Sequence, residues 1–292
     1  MRAVITGVSG QDGYYMVQLL LSKGFEVLAL TSNFQQAESH FIKNATKCFR
    51  LFEFNYEQTG DFNKILEDYQ PNFIFNFAAK ATGQGMFNEP YKIHKLNGNF
   101  VVEILEALRQ SHQREKIVFC QASSSEMYGT VTETPQSEIT PFCPKSPYGA
   151  AKLYAHNMVK IYRSVYNVKC CAAILYNHES TRRSLQFVTK KIANTAARIK
   201  LGQENSLILG SLDAKRDWGY APEYVDAMFQ MASADNLEDY VIATGHLNSV
   251  RDLCEVAFEY LDLNYLDFLD TRPNQSRATE SFDLRGNPEN IK

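Results

Sequence analysis

The segment from Arg2 to Leu30 most constrains how this chain can fold. Arg2-Ala-Val-Ile-Thr6 is an apolar run of strand length, and Tyr14 to Lys23 follows at helical spacing. Between them lies Gly7-Val-Ser-Gly10-Gln-Asp-Gly13. Gly24-Phe25 ends the helix and Glu26-Val-Leu-Ala-Leu30 is a second strand. Strand, Gly-x-x-Gly-x-x-Gly, helix, strand is the context a dinucleotide fingerprint requires. Gly7, Gly10 and Gly13 permit a tight turn and bring backbone N–H groups close to a pyrophosphate at the helix N-terminus.

The alternation continues. Strands are expected over Cys48 to Phe54, Phe73 to Ala79, Ile117 to Gln121 and Val168 to Tyr176. Helices are expected over Phe62 to Tyr69, Pro90 to Arg109 and from Tyr148 to about Tyr166. This order predicts an α/β fold, a doubly wound parallel sheet of Rossmann type, with a smaller C-terminal α/β substrate-binding domain. The expected division is residues 1–175 for the dinucleotide and 176–292 mainly for substrate, with some chain crossing back to the sheet. In the second part, helices are expected over Phe187 to Leu201, 222–233 and 249–261, with a short strand at Leu207 to Leu209.

Composition narrows the function. A net charge of −3 argues against nucleic acid or an anionic membrane as partner, and no apolar run reaches the length of a spanning helix. The N-terminus runs straight into a strand, so no signal peptide is expected. The six cysteines form no C-x-x-C pair and read as reduced thiols of a cytoplasmic protein. His178-Glu179 has no second ligand pair at metal spacing, so no metal is expected.

The second chemical signal lies between Gln121 and Lys152. Ser124, Ser125 and Glu126 follow a strand, where reacting groups sit in an open parallel sheet. Tyr148 and Lys152, four residues apart, share a helix face. A lysine beside the phenol is expected to lower its pKa and make Tyr148 a proton-transfer group. Further on, Asn177-His-Glu-Ser-Thr-Arg-Arg183 is a dense polar run after a strand. Asp213-Ala-Lys-Arg-Asp-Trp-Gly219 sets Arg216 among acids as a candidate anion site. At the end of the second strand, where an acid or an arginine would select the cofactor, Thr31-Ser32-Asn33 are neutral.

Together these stretches resemble the extended short-chain dehydrogenase/reductases and, more narrowly, the GDP-mannose 4,6-dehydratase family. The resemblance rests on Ile5 to Gly13, Ala122 to Gly129, Ser146 to Tyr154, Asn177 to Ser180 with Arg182-Arg183, Phe187 to Ile192, Leu212 to Gly219 and Ala243 to Gly245. It implies catalytic positions at Ser124, Glu126, Tyr148 and Lys152. It implies cofactor contacts at Gly7, Gly10, Gln11, Asp12, Gly13, Ser32, Asn55, Ala78, Ala79, Tyr148, Lys152, His178 and Arg183. Sugar-nucleotide contacts fall on Ser125, Asn177, Lys191, Arg216, Arg277 and Glu280. The implied cofactor is NADP(H) or NAD(H), with NADP(H) slightly favoured, and the implied substrate is a GDP-sugar. A homo-oligomer, dimer or tetramer, is also implied, with Arg182 and Arg183 reaching a neighbouring subunit.

The sequence differs from the family pattern at four places. Ser124 stands where threonine is usual, and Thr31-Ser32-Asn33 where arginines are common. Lys80 to Gly85 replaces a loop with a Ser-His pair, and the chain ends at Lys292 where the family continues. The expected reaction is conversion of GDP-mannose, or a close GDP-sugar, to its 4-keto-6-deoxy derivative. The alternatives are a 4-epimerase, a 4-ketoreductase, a dehydratase for another nucleotide sugar, or an idle dinucleotide-binding scaffold. Glu126 counts against the epimerase and the ketoreductase, neither of which needs an acid–base at C5.

Overall fold

The structure is a computed structural model and describes residues 1–41, 47–58, 60–80, 87–272 and 284–291. The chain begins β1 (Arg2–Thr6), α1 (Gln11–Ser22), β2 (Glu26–Thr31), α2 (Phe34–Phe41), β3 (Phe49–Glu53), α3 (Asp61–Tyr69) and β4 (Phe73–Asn76). It continues through α4 (Pro90–His94), α5 (Phe100–Gln110), β5 (Val118–Ser124), α6 (Pro147–Tyr166) and β6 (Cys170–Leu175). The remainder is β7 (Asn177–Glu179), α7 (Val188–Lys200), β8 (Leu207–Leu209), β9 (Lys215–Tyr220) and α8 (Ala221–Ser233). Then come β10 (Tyr240–Ile242), β11 (Leu247–Ser249), α9 (Val250–Glu259) and β12 (Leu269–Thr271).

Seven strands form one sheet in the order β10-β6-β5-β4-β1-β2-β3. Every pair in it is parallel, giving the expected doubly wound sheet. Two apolar layers sandwich it, because strands buried on both faces are apolar throughout. One layer joins the sheet to α1 and α8 through Met16, Val17, Leu20, Val225 and Met228. The other joins it to α3, α5 and α6 through Phe62, Leu66, Ile104, Leu108 and Val159. The order reverses between β1 and β4, so a crevice opens beyond the carboxyl ends of those strands. A third cluster packs α7 and α9 around β8, with Ile192, Ala196, Leu207, Cys254 and Phe258 at its centre. The three-stranded sheet β11-β9-β7 lies beside it in the chain.

Two local expectations change. The helix expected from Pro90 to Arg109 carries a π-helical turn at Lys95–Asn99, which joins α4 to α5. That turn buries Asn97, whose Oδ1 accepts from the Lys80 amide at 2.8 Å. The polar runs at 177–179 and 215–220, where no strand is expected, are strands that pair with each other in parallel. The short β10 returns the chain to the edge of the main sheet against β6.

Candidate active site

The glycine turn is built as its sequence requires. Gly7 has φ +68°, and a Cβ there would lie 2.7 Å from the Ala78 amide nitrogen. A Cβ on Gly13 would lie 2.6 Å from the Gly7 carbonyl oxygen. Only residues without a side chain let β1, its turn and the segment after β4 meet so closely. Tyr56 braces the turn: its hydroxyl donates to the Leu30 carbonyl at 2.9 Å and accepts from the Gly7 amide at 3.1 Å. Gly10 precedes α1 and offers no capping side chain, so the first amides of α1 are left to other acceptors.

A cavity of about 660 Å³ opens above this turn. Gly7, Gly10, Gln11, Asp12 and Gly13 line it from below. Ser124, Ser125, Glu126, Tyr148 and Lys152 line it from β5 and α6. Ala79, Asn177, His178 and Arg183 complete the expected residues on its wall. The three segments that carried the sequence reading therefore converge on one space, of a size usual for a small-molecule site.

Within it, the Ser124 hydroxyl lies near enough to the Tyr148 phenol to hold its pKa down. Ser124 Oγ also accepts from the Glu126 amide at 3.2 Å. Burial pushes the Tyr148 phenol up to about 12, with the Ser124 hydroxyl opposing and Glu126 adding to the rise. This corrects the expectation that Lys152 lowers it. Lys152 is itself only 3% exposed, and burial brings its ammonium down to about 8. Its Nζ donates to the Ala122 carbonyl at 2.8 Å.

A buried polar row lies under the floor. Thr6, Asn76 and Gln121 are in register across β1, β4 and β5. Thr6 Oγ1 donates to Asn76 Oδ1 at 2.5 Å, and Asn76 Nδ2 to Gln121 Oε1 at 2.7 Å. Gln121 Nε2 donates to the Ala122 carbonyl, the same oxygen that holds Lys152. Thr6 Oγ1 accepts from the Ala78 amide at 3.0 Å, which ties the row to the glycine turn.

Other expected residues lie elsewhere. Ala78 is buried behind the wall, and Ser32 and Asn55 are exposed and outside the lining. Lys191, on α7, and Arg216, on β9, also stand outside it. Arg277, Glu280 and residues 81–85 of the Lys80 loop lie outside the described residues. Among the described residues, no group of three or more acids, histidines or cysteines is placed to hold a metal. No helix among them is long and apolar enough to cross a membrane.

The sequence reading missed Ser9, Gln36, His40 and Ser123 on the cavity wall, and Tyr56 beneath it. Gln36 and His40 belong to α2, whose face depends on packing and not on a motif. Thr6, Asn76 and Gln121 did leave a signal, as polar residues in otherwise apolar strands.

A sequence profile described as GDP-mannose 4,6 dehydratase matches residues 4–292. GDP-mannose 4,6 dehydratase 2 of Caenorhabditis elegans is 40% identical over 265 residues, 88% of this chain and 69% of that protein. GDP-mannose 4,6 dehydratase of Homo sapiens is 41% identical over 267 residues, 89% of this chain and 72% of that protein. Among solved structures, Thermus thermophilus UDP-glucose 4-epimerase with NAD superposes with a TM-score of 0.85 at 21% identity. That match covers 100% of this chain and 92% of that one. Bacillus anthracis dTDP-glucose 4,6-dehydratase with NAD gives 0.84 at 18% identity, covering 100% and 89%. RMD from Pseudomonas aeruginosa, complexed with NADPH, gives 0.78 at 20%, covering 99% and 90%. At these identities the structural matches speak to the fold, whereas the profile and the relatives reach the family. By sequence over nearly its whole length, and by the site that sequence builds, this chain belongs to the GDP-mannose 4,6 dehydratase family.

Proposed function

We propose that this chain is a nicotinamide-dependent lyase that converts GDP-mannose to its 4-keto-6-deoxy derivative. The observation that carries the reading is that Glu126 shares one cavity with Ser124, Tyr148 and Lys152. An acid–base additional to the Ser/Tyr/Lys set is what water elimination requires and what oxidation alone does not.

The residues present fit a nicotinamide dinucleotide. The Gly7 turn has no room for a Cβ, and the uncapped N-terminus of α1 faces the cavity as a pyrophosphate site. Gly7, Gly10, Gln11 and Gly13 would hold the pyrophosphate, and Tyr148 and Lys152 the nicotinamide half. The bound cofactor supplies a hydride acceptor for C4 and the donor that returns hydride to C6. Arg182, lining the cavity beside His40 of α2, supports NADP(H) over NAD(H), because a guanidinium suits a 2′-phosphate.

Tyr148 takes the O4 proton, and Ser124 hydrogen-bonds that oxygen. The phenol lies at about 12 in the protein alone, with Lys152 already beside it, so this role requires the positive charge that an oxidised nicotinamide would add. The 4-ketone acidifies C5–H. Glu126 removes that proton and then returns it to the departing C6 hydroxyl, which leaves as water; a proton then goes to C5 as hydride returns to C6, and the proton taken from O4 balances it. Ser125 and Asn177 support sugar contacts from the cavity wall. Lys191, Arg216, Arg277 and Glu280 are proposed contacts for the nucleotide by family resemblance. The working unit is proposed to be a homo-oligomer on the same ground.

The test is mass spectrometry of GDP-mannose after incubation with the purified chain and either cofactor. A product lighter by one water, with cofactor unconsumed, supports the reading. Net cofactor oxidation would make it a reductase, and cofactor binding without turnover a scaffold.

A further inference from the structure

The fingerprint helix poses a problem that the structure answers. Asp12 stands in the first turn of α1, where the pyrophosphate of a dinucleotide is expected. An unpaired carboxylate there would repel it. Asp12 is paired instead: its Oδ1 lies 3.0 Å from His178 Nε2. The other ring nitrogen, Nδ1, lies 2.6 Å from the Tyr176 carbonyl oxygen. Nδ1 is within hydrogen-bond distance of a carbonyl and Nε2 within ion-pair distance of a carboxylate, and the doubly protonated ring is the form that suits both neighbours. The ring is stacked on Tyr224 of α8 at 4.7 Å between centroids, which fixes its plane.

Two further bonds run alongside this pair. Gln11 Nε2 donates to the His178 carbonyl at 3.0 Å, and Ser180 Oγ donates to Gln11 Oε1 at 2.7 Å. The first turn of α1 is thereby stitched to β7, the strand that carries Asn177 into the cavity.

We propose that His178 is a positioning residue, acting on the cofactor through Asp12: its imidazolium neutralises that carboxylate and locks the first turn of α1 to β7. This rests on the dinucleotide reading of the cavity. It assigns His178 an indirect role, where family resemblance implies direct contact. Burial opposes the ring's charge, but the Asp12 carboxylate outweighs it and raises the His178 pKa. Asp12 is correspondingly lowered, again against its burial. The other charged or titratable neighbours of the pair are Arg183 on the following turn, Glu179 on the same strand, Tyr224 on α8, and Lys152 and Tyr148 on α6, which face Asp12. A raised pKa means that the contribution is complete at low pH and is lost as pH rises beyond the ordinary histidine range.

The test is a double-mutant cycle read by fluorescence titration with NADPH: the full chain, His178→Gln, Asp12→Asn and both together. His178→Gln is expected to weaken NADPH binding about tenfold where Asp12 is present, because a carboxylate in the cavity wall loses the cation beside it. In the Asp12→Asn background the same change is expected to cost less than about twofold, and the loss of affinity with rising pH is expected to shrink to the part that Lys152 contributes. An equal cost in both backgrounds would mean that His178 touches the cofactor itself, and would overturn the inference alone. A pH dependence undiminished in Asp12→Asn does the same and does not depend on how well the histidine variant folds. Failure of the unaltered chain to bind NADPH or NADH would remove the dinucleotide reading together with this one.

Discussion

Lys152 Nζ donates at 2.8 Å to the carbonyl of Ala122, and it lies 5.8 Å from the centroid of the Tyr148 ring. The ammonium is held by the main chain of β5, with the phenol nearby and not as its hydrogen-bonding anion. Burial brings it to about 8. The folded chain therefore binds fewer protons at this site than the unfolded chain at pH values from about 8 up to the ordinary lysine value. The cost of burying the charge is complete below that window and fades as pH rises through it. Lys152→Met is expected to be more stable than the parent at pH 7, by an amount on the order of 1–3 kcal/mol. The gain should shrink toward pH 10, and activity should be lost. Urea unfolding at the two pH values checks it; a variant less stable at pH 7 would mean that the Ala122 hydrogen bond outweighs the burial.

Glu126 and Tyr148 are assigned different steps, so their variants should stop at different places. Glu126→Gln is expected to bind cofactor and substrate and to form reduced nicotinamide, but to release no dehydrated product. Tyr148→Phe is expected to form reduced nicotinamide at least about a hundredfold more slowly, the lower end of what general acid–base groups contribute. Stopped-flow absorbance of the reduced nicotinamide, with mass spectrometry of the product, separates the two. Full dehydration by Glu126→Gln would remove it as the acid–base.

Asp217 is 1% exposed and gathers four donors. Its Oδ1 accepts from the Thr244 amide at 2.9 Å and the Thr244 hydroxyl at 2.5 Å. Its Oδ2 accepts from the amides of Gly245 at 2.9 Å and Gly286 at 3.2 Å. One carboxylate thus joins β9, the turn after β10 and the C-terminal segment. Asp217→Asn turns an acceptor into a donor facing N–H groups. It is expected to lose about 2–4 kcal/mol, since buried donors are left unmet. A melting temperature within experimental error of the parent would show that the segment rearranges around the amide.

Gly7→Ala combines a left-handed backbone with a Cβ 2.7 Å from the Ala78 nitrogen. The turn must open to accept it, and in doing so it disturbs the amides that face the cavity. The variant is expected to fold with a lowered melting temperature and to bind NADPH more than about tenfold more weakly, by a shift of the cradle and not of any contacting side chain. Isothermal titration calorimetry gives the comparison, and unchanged affinity would show that the turn tolerates the displacement.

The sequence by itself determined the sheet, the glycine turn and the proposed catalytic quartet. Each rests on short-range physics: two-sided burial makes apolar strands, a positive φ demands Gly7, and helical spacing sets Tyr148 beside Lys152. Only the tertiary structure decided what long-range contact controls. It made 177–179 and 215–220 a strand pair, because pairing depends on a partner far along the chain. It placed His178 against Asp12, which no spacing in a string connects. It reversed the expected direction of the Tyr148 pKa, because spacing records a neighbouring cation, whereas the loss of water around a buried phenol exists only once the chain has closed over it.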